Sequence, residues 1–282
     1  MSLYVTLRPM LLTLALLISP IVLGAEFSLS QGDTDADSLQ ISGEIKRGDY
    51  ARFQQFLTQP GNFWGLGNYV LLSSKGGDVD EALKFANLFE TASIRVMVSD
   101  YCYSSCFIMY MAGVDRGLIG PGELGVHRMA LSKSDRDIGR ARSLISPKAS
   151  SVRDYLAYLG TPSKILDKMN ETPASGLYRM DTFSLKDAGL LAVMGYQPIF
   201  LDVVEQACGR NPDPYPGEFI RTRPRSDEVM NSIRIWAKCM RKVRLDNFSI
   251  FLRKEYKLLV SGKPSIAFPP NSVAEVERNV FH

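Results

Sequence analysis

Residues 72–79, Leu72-Ser73-Ser74-Lys75-Gly76-Gly77-Asp78-Val79, and residues 98–106, Val98-Ser99-Asp100-Tyr101-Cys102-Tyr103-Ser104-Ser105-Cys106, are two junctions of one kind. Each follows a short apolar run, Tyr69–Ser74 and then Ile94–Val98, with the length and composition of a buried strand. Each leads into a helical pattern: Val79–Thr91, with Ala82, Leu83, Phe85, Ala86 and Phe89 at helical spacing, and Tyr103–Ala112. Strand, turn and helix in succession predict an α/β domain with a largely parallel sheet. Both turns then fall at the carboxyl edge of that sheet, where ligands bind. Gly76-Gly77 can expose backbone N–H groups with no Cβ in the way, and a serine at a helix start gains from the helix dipole.

Outward from the junctions the alternation continues. Upstream, Leu39–Ile45 alternates apolar or small residues with polar ones as a strand does, and Gly48–Gln59 is helix-like, with Phe53, Phe56 and Leu57 at helical spacing. Downstream, Gly117–Ile119 and Leu124–Val126 read as short strands, and Ala149–Leu159 and Pro162–Asn170 as helices. Thr182–Leu191 and Ala192–Gly195 read as a helix ending in a glycine turn. One domain is therefore expected over 39–198, preceded by a polar, acidic and flexible lead at 26–38. Composition shifts near Pro198: residues 199–282 carry a proline-rich loop, a basic amphipathic helix around Asp227–Arg244 and a proline-rich end. They read as a helical extension, not a second catalytic domain.

The first 25 residues have the pattern of an export signal. Arg8 is the only charge, Met10–Leu23 is almost wholly apolar, and Val22 with Gly24, or Leu23 with Ala25, supplies the small residues of a cleavage site. The apolar run is short against the ~20 residues of a membrane span. A periplasmic or secreted protein is expected, the alternative being an uncleaved amino-terminal anchor facing the periplasm. The formal net charge of +3, with dispersed basic residues, gives no argument for nucleic acid. Four cysteines in an exported chain suggest disulfides. The natural pairs are Cys208 with Cys239 and Cys102 with Cys106, the latter only if the chain turns sharply or enters a helix there. Otherwise Cys102 and Cys106 are small core residues. Nothing around the cysteines looks like a zinc ligand set, and no other metal or cofactor is expected.

The chain has two histidines, His127 and the terminal His282. A nucleophilic serine needs a base near neutral pKa, usually histidine, so serine chemistry here points to His127 with Ser104 or Ser105. The Gly-Gly turn alone is usually only a turn, and a serine at a helix start is usually only a cap.

Taken in order, these pieces resemble the Clp protease proteolytic subunit and its crotonase superfamily, over about residues 40–196. Leu72–Val79 looks like the oxyanion strand and following helix, and Tyr103-Ser104-Ser105-Cys106 like the nucleophile-bearing helix start. Leu124-Gly125-Val126-His127-Arg128 looks like the histidine strand, and Met180–Leu190 like the acid-bearing segment. Exported Clp-like proteins, which tend to show a Cys-x-Ser-x-Cys core, look most similar. The resemblance implies a crotonase/Clp-like β-β-α superhelix and a serine peptidase. Ser104, by its spacing to Ala112-Gly113, is then the nucleophile, His127 the general base and Asp181 the orienting carboxylate. Gly77 and Ser105 would donate N–H groups to the oxyanion. Asp187, Asp167 and Glu171 are the other candidate acids. Tyr103 and Cys106 are bulkier than the family's small residues there and imply a narrower pocket. The partners implied are a peptide or unfolded protein and further copies of the chain in a homo-oligomer.

Two competing functions remain at this level. A degenerate member would keep the fold as a binding or scaffolding protein without turnover. An acyl-CoA hydratase or isomerase would use the same oxyanion architecture, but an export signal argues against a CoA-dependent enzyme.

Overall fold

The computed structural model describes residues 24–30, 38–130, 138–181, 195–196, 198–212 and 226–281. Eight strands among these form one sheet: β1 (Glu26–Ser30), β2 (Ser38–Ser42), β3 (Val70–Ser74), β4 (Arg95–Tyr103), β5 (Asp115–Leu118), β6 (Glu123–Val126), β7 (Tyr178–Met180) and β8 (Gly195–Tyr196). Their order is β1-β2-β3-β4-β5-β8, with β6 joined to β4 and β7 to β6. The central strands β2 to β5 are parallel, as is β6 on β4, while β1, β7 and β8 close the edges antiparallel. The chain is thus a mixed α/β protein.

Strand β4 positions the site. Its first half, Arg95–Val98, pairs with β5, and its last three residues, Tyr101–Tyr103, pair with β6. Between these halves it carries two more residues than β3, since Leu72 faces Val98 but Ser74 faces Cys102. A bulge of this kind bends the strand and re-aims the residues beyond it.

The helices are α1 (Asp49–Leu57), α2 (Asn62–Asn68), α3 (Val79–Thr91), α4 (Ser105–Met111), α5 (Ile138–Tyr158), α6 (Ser163–Glu171), α7 (Pro198–Cys208), α8 (Asp227–Val260) and α9 (Val273–Val280). Helix α3 starts where it does because the Asp78 carboxylate accepts from the Asp80 and Glu81 N–H groups. That cap satisfies two of the orphan donors of the first turn. Leu39, Ile41, Val70, Leu72, Val96 and Val98 on the strands bury against Phe85, Ala86 and Phe89 of α3 and the whole of α4.

Several expectations change. The lead at 26–38 is not simply flexible: Glu26–Ser30 is a strand paired residue by residue with Ser38–Ser42. The strand expected over Leu39–Ile45 ends at Ser42, and Ile45 instead makes an isolated parallel bridge to Gly77. The strand expected at Ile94–Val98 runs on to Tyr103 because β6 supplies a new partner there. Helix α2 and strands β7 and β8 carry no clear periodicity, so local pattern does not reveal them. The helix expected at Asp227–Arg244 runs to Val260. Most of the segment 182–195, and residues 1–23 of the leader, lie outside the described residues. No helix among the described residues is long and apolar enough to cross a membrane.

The carboxyl-terminal third packs into the main core. Phe248, Phe251, Leu252 and Leu259 of α8, with Phe268, Val276 and Val280, belong to the same buried cluster as the strands. Phe63 of α2 stacks between Phe248 and Phe268, at 5.3 and 5.2 Å. Arg244, 5% exposed, donates to the Gly67 carbonyl at 2.7 Å. Asp115 on β5 is also buried and pairs with Arg95 at 3.0 Å. Burial pushes the Asp115 carboxyl up, opposed by the Arg95, Arg244 and Arg116 charges. Burial likewise pulls the Arg244 guanidinium down, to about 10, against the Asp115 charge. The Cys208 and Cys239 sulfurs are at bonding distance, 1.96 Å, which ties α7 to α8.

Candidate active site

Ser104 sits between the last residue of β4 and the first of α4, with φ 55° and ψ −125°. L residues rarely adopt this conformation, and it costs on the order of 1–3 kcal/mol unless the surroundings enforce it. Three contacts enforce it. The Ser104 N–H donates to the Gly125 carbonyl of β6 at 2.8 Å. Cys102 and Cys106, two residues to either side, have their sulfurs at bonding distance, 1.97 Å, so a bridge spans the elbow. The Gly76 backbone presses on it from the β3 side. A Cβ on Gly76 would lie 2.6 Å from the Tyr103 carbonyl oxygen and 2.8 Å from the Ser104 Cβ.

Gly77 is held from its other side. Ile45 donates to the Gly76 carbonyl at 2.9 Å, and the Asp78 N–H donates to the Ile45 carbonyl at 2.8 Å. A Cβ on Gly77 would come within 2.0 Å of the Ile45 oxygen, and its φ is +147°. The pairing with Ile45 uses the groups on either side of the Gly77 N–H and leaves that N–H out. Ser105 is the first residue of α4, so its N–H has no acceptor within the helix. Neither amide has an acceptor among the described residues, and donors left over in this way are what an oxyanion hole requires.

The two adjacent serines differ sharply. Ser104 is half-buried, whereas Ser105 is 2% exposed and its Oγ has no hydrogen-bond partner. Only Ser104 offers a hydroxyl to a bound molecule. His127 is half-buried and lies two residues beyond Gly125, one residue past the end of β6. That puts it on the face of Gly125, about 6.6 Å further along the strand direction. No hydrogen bond joins His127 to Ser104; the His127 Nδ1 is 2.9 Å from the Arg128 carbonyl oxygen. With Nδ1–H donating to that carbonyl, Nε2 is the free basic nitrogen.

Asp181 is not brought to His127. In the β6–β7 register Val126 faces Tyr178 and Leu124 faces Met180, so Asp181 continues toward Glu123. Four residues of strand, about 13 Å, separate that end from His127. Of the other acids, Asp167 pairs with Arg153 at 2.9 Å and Glu171 with Lys168 at 2.7 Å, while Asp187 lies outside the described residues. Glu171 adjoins Thr172, whose carbonyl accepts from the Arg128 N–H at 3.0 Å. The end of α6 therefore runs beside His127.

Apart from Tyr103, whose bulk already implied a narrow pocket, the remaining neighbours of the site had no sequence signal. Tyr103 stacks on Tyr101 at 5.2 Å, and the Arg179 guanidinium lies 5.6 Å from the Tyr103 ring centre. This stack adjoins Ser104 through Tyr103, the residue before it. The Gly125 and Arg128 carbonyls act through the backbone, where residue type says nothing. Among the described residues no group of histidine, cysteine and carboxylate side chains could hold a metal ion.

Fold and site together define a mixed α/β protein with a strained serine at a strand–helix elbow, flanked by free amides and a histidine-bearing strand. No family model matches the chain, and no curated protein matches it. Among solved structures it is similar to a single-substitution variant of ClpP1 from Listeria monocytogenes, with 17% identity and a TM-score of 0.42. That match covers 54% of this chain and 86% of the other. At that distance the likeness does not say which residues act.

Proposed function

We propose that this chain is an exported, Clp-like serine peptidase acting on peptides or unfolded protein. The observation that carries the reading is the Ser104 elbow: a half-exposed serine in a strained conformation, clamped between Gly76, Gly125 and a cysteine pair, with the Gly77 and Ser105 amides beside it. Ser104 Oγ attacks the amide carbonyl while His127 Nε2 takes its proton. The Gly77 and Ser105 N–H groups hold the oxyanion. His127 returns the proton to the departing amine, and water then hydrolyses the acyl-enzyme. The Arg128 carbonyl fixes the imidazole tautomer in the present arrangement. Asp181, the acid implied by the family resemblance, takes that role only if the β7 end closes toward His127. Catalytic hydrogen bonds commonly tighten only around a bound substrate. The two cysteine pairs are compatible with an oxidising compartment outside the cytoplasm.

A fluorophosphonate probe tests the reading on the purified protein. Labelling is expected in wild type and in Ser105→Ala, and is lost in Ser104→Ala and His127→Ala. Asp181→Asn keeps labelling if the Arg128 carbonyl orients the base, and loses most of it if the carboxylate does. Absence of labelling in folded wild type would sink the peptidase assignment. It would favour a second reading, a binding protein that keeps the fold, for which the unjoined Ser104 and His127 side chains are the supporting observation.

A further inference from the structure

The first described residues carry an unusual arrangement. Ala25 is fully buried, and its backbone N–H donates to the Asp49 carboxylate at 2.8 Å. Asp49 is itself only 2% exposed. The same oxygen accepts from the Lys46 N–H at 2.7 Å, while the other meets the Arg52 guanidinium at 2.6 Å. Arg52 also donates to the Ala25 carbonyl at 2.7 Å, so Ala25 is gripped by both its backbone groups. Arg52 is half exposed and is the only cation paired with Asp49 among the described residues. A carboxylate this deeply buried is costly unless well paired, and here it faces one half-exposed guanidinium and two backbone N–H groups, of which the Ala25 N–H is one. Residue 24 has no room for a side chain, since a Cβ there would sit 2.2 Å from the Asp49 oxygen.

We infer that the leader is removed at the Gly24–Ala25 bond and that the new α-ammonium of Ala25 docks on Asp49, fixing strand β1 on the sheet. The inference rests on reading the chain as exported. The step is hydrolysis by a leader peptidase of the export machinery. Water adds across the Gly24–Ala25 amide, its oxygen going to the Gly24 carboxylate and the freed amine of Ala25 taking up a proton. The neutral N–H donor then becomes an ammonium at the same place, and the bond to Asp49 becomes charge-assisted. The sequence allows cleavage after Gly24 or after Ala25. Cutting after Ala25 would delete the residue whose nitrogen occupies the site.

The test uses the whole chain, exported from a bacterial host and recovered in processed form. Its mass and amino-terminal sequence are expected to begin at Ala25. In the folded protein, the Ala25 α-amine is expected to react with an acylating reagent at least ~10-fold more slowly than in denaturant, the loss of free amine that one pKa unit brings. Asp49→Asn is expected to remove most of that protection. If that variant does not fold, the folded-versus-denatured comparison on wild type still decides. A chain beginning at Glu26 would overturn the cleavage position and leave export standing. A retained leader would overturn the inference together with the reading of 1–24 as a cleaved signal, while labelling at Ser104 would stand or fall separately. Equal reactivity in folded and denatured wild type would overturn docking on Asp49.

Discussion

In the proposed reaction the Gly76-Gly77 turn and the Ser104-Ser105 pair carry the chemistry, and their neighbours make each substitution predictable. Gly77→Ala would drive a Cβ into the Ile45 carbonyl from a backbone conformation that L residues avoid. A loss of about 2 kcal/mol or more in a urea titration is expected, with loss of fluorophosphonate labelling. An unchanged midpoint would show that the Ile45 bridge does not hold this turn. Ser105→Ala should do the opposite. Its buried Oγ has no partner, so removing it should leave stability unchanged or raise it by up to about 1 kcal/mol. Since the variant keeps the backbone N–H, labelling should persist. A midpoint well below wild type would mean that the hydroxyl has a partner in solution.

The junction of β4 and α4 is where strand register, helix start and cysteine pair meet. A bridge between Cys102 and Cys106 closes a ring of very few residues, so loop-closure entropy gives only about 2 kcal/mol to stability. Its larger effect should be on Ser104, whose strained backbone it helps to hold. The double substitution Cys102→Ala and Cys106→Ala is expected to keep the far-ultraviolet circular dichroism of wild type. Labelling should slow by about 10-fold or more, because relaxation of a strain of 1–3 kcal/mol then competes with the reactive geometry. Wild-type labelling rates in that variant would show that Gly76 and Gly125 suffice. The strand at Ile94–Val98 is visible in the sequence from its apolar run. Its continuation through Ser99, Asp100 and Tyr101 is not, because pairing with β6 can extend a strand through polar residues.

For the whole molecule, the carboxyl-terminal helices act as part of the core. Arg244 on α8 joins Gly67 and lies near the buried Asp115 of β5. Arg244→Ala would remove the hydrogen bond and strip a cation from that buried carboxylate. A loss of about 3 kcal/mol is expected, read as a fall of roughly 6–12 °C in Tm. A fall of less than about 2 °C would indicate that water replaces the guanidinium. The Cys208–Cys239 pair encloses a much longer loop than the elbow bridge, and its reduction should cost roughly 3.5 kcal/mol. Because α8 shares the buried cluster of the sheet, reduction should lower the single unfolding transition of the molecule and not create a second one. Two separated transitions would mean that the tail unfolds on its own.

Local pattern was enough for the alternation of strands and helices and for the two junctions that set the sheet's carboxyl edge, and it singles out His127 as the candidate base of the proposed reaction. Each depends on residues close in sequence or on simple scarcity, with one internal histidine in the chain. Tertiary structure alone decided which of two adjacent serines faces outward, since that depends on how α4 packs. It decided that Glu26–Ser30 is an edge strand: Phe27 and Leu29 alternate with polar residues, but five residues of alternation become a strand only when a partner such as β2 is available. It also decided that Asp181 lies toward Glu123 and that a backbone carbonyl meets His127. Antiparallel register and main-chain hydrogen bonds between distant segments are set by long-range packing and leave no mark in the order of side chains.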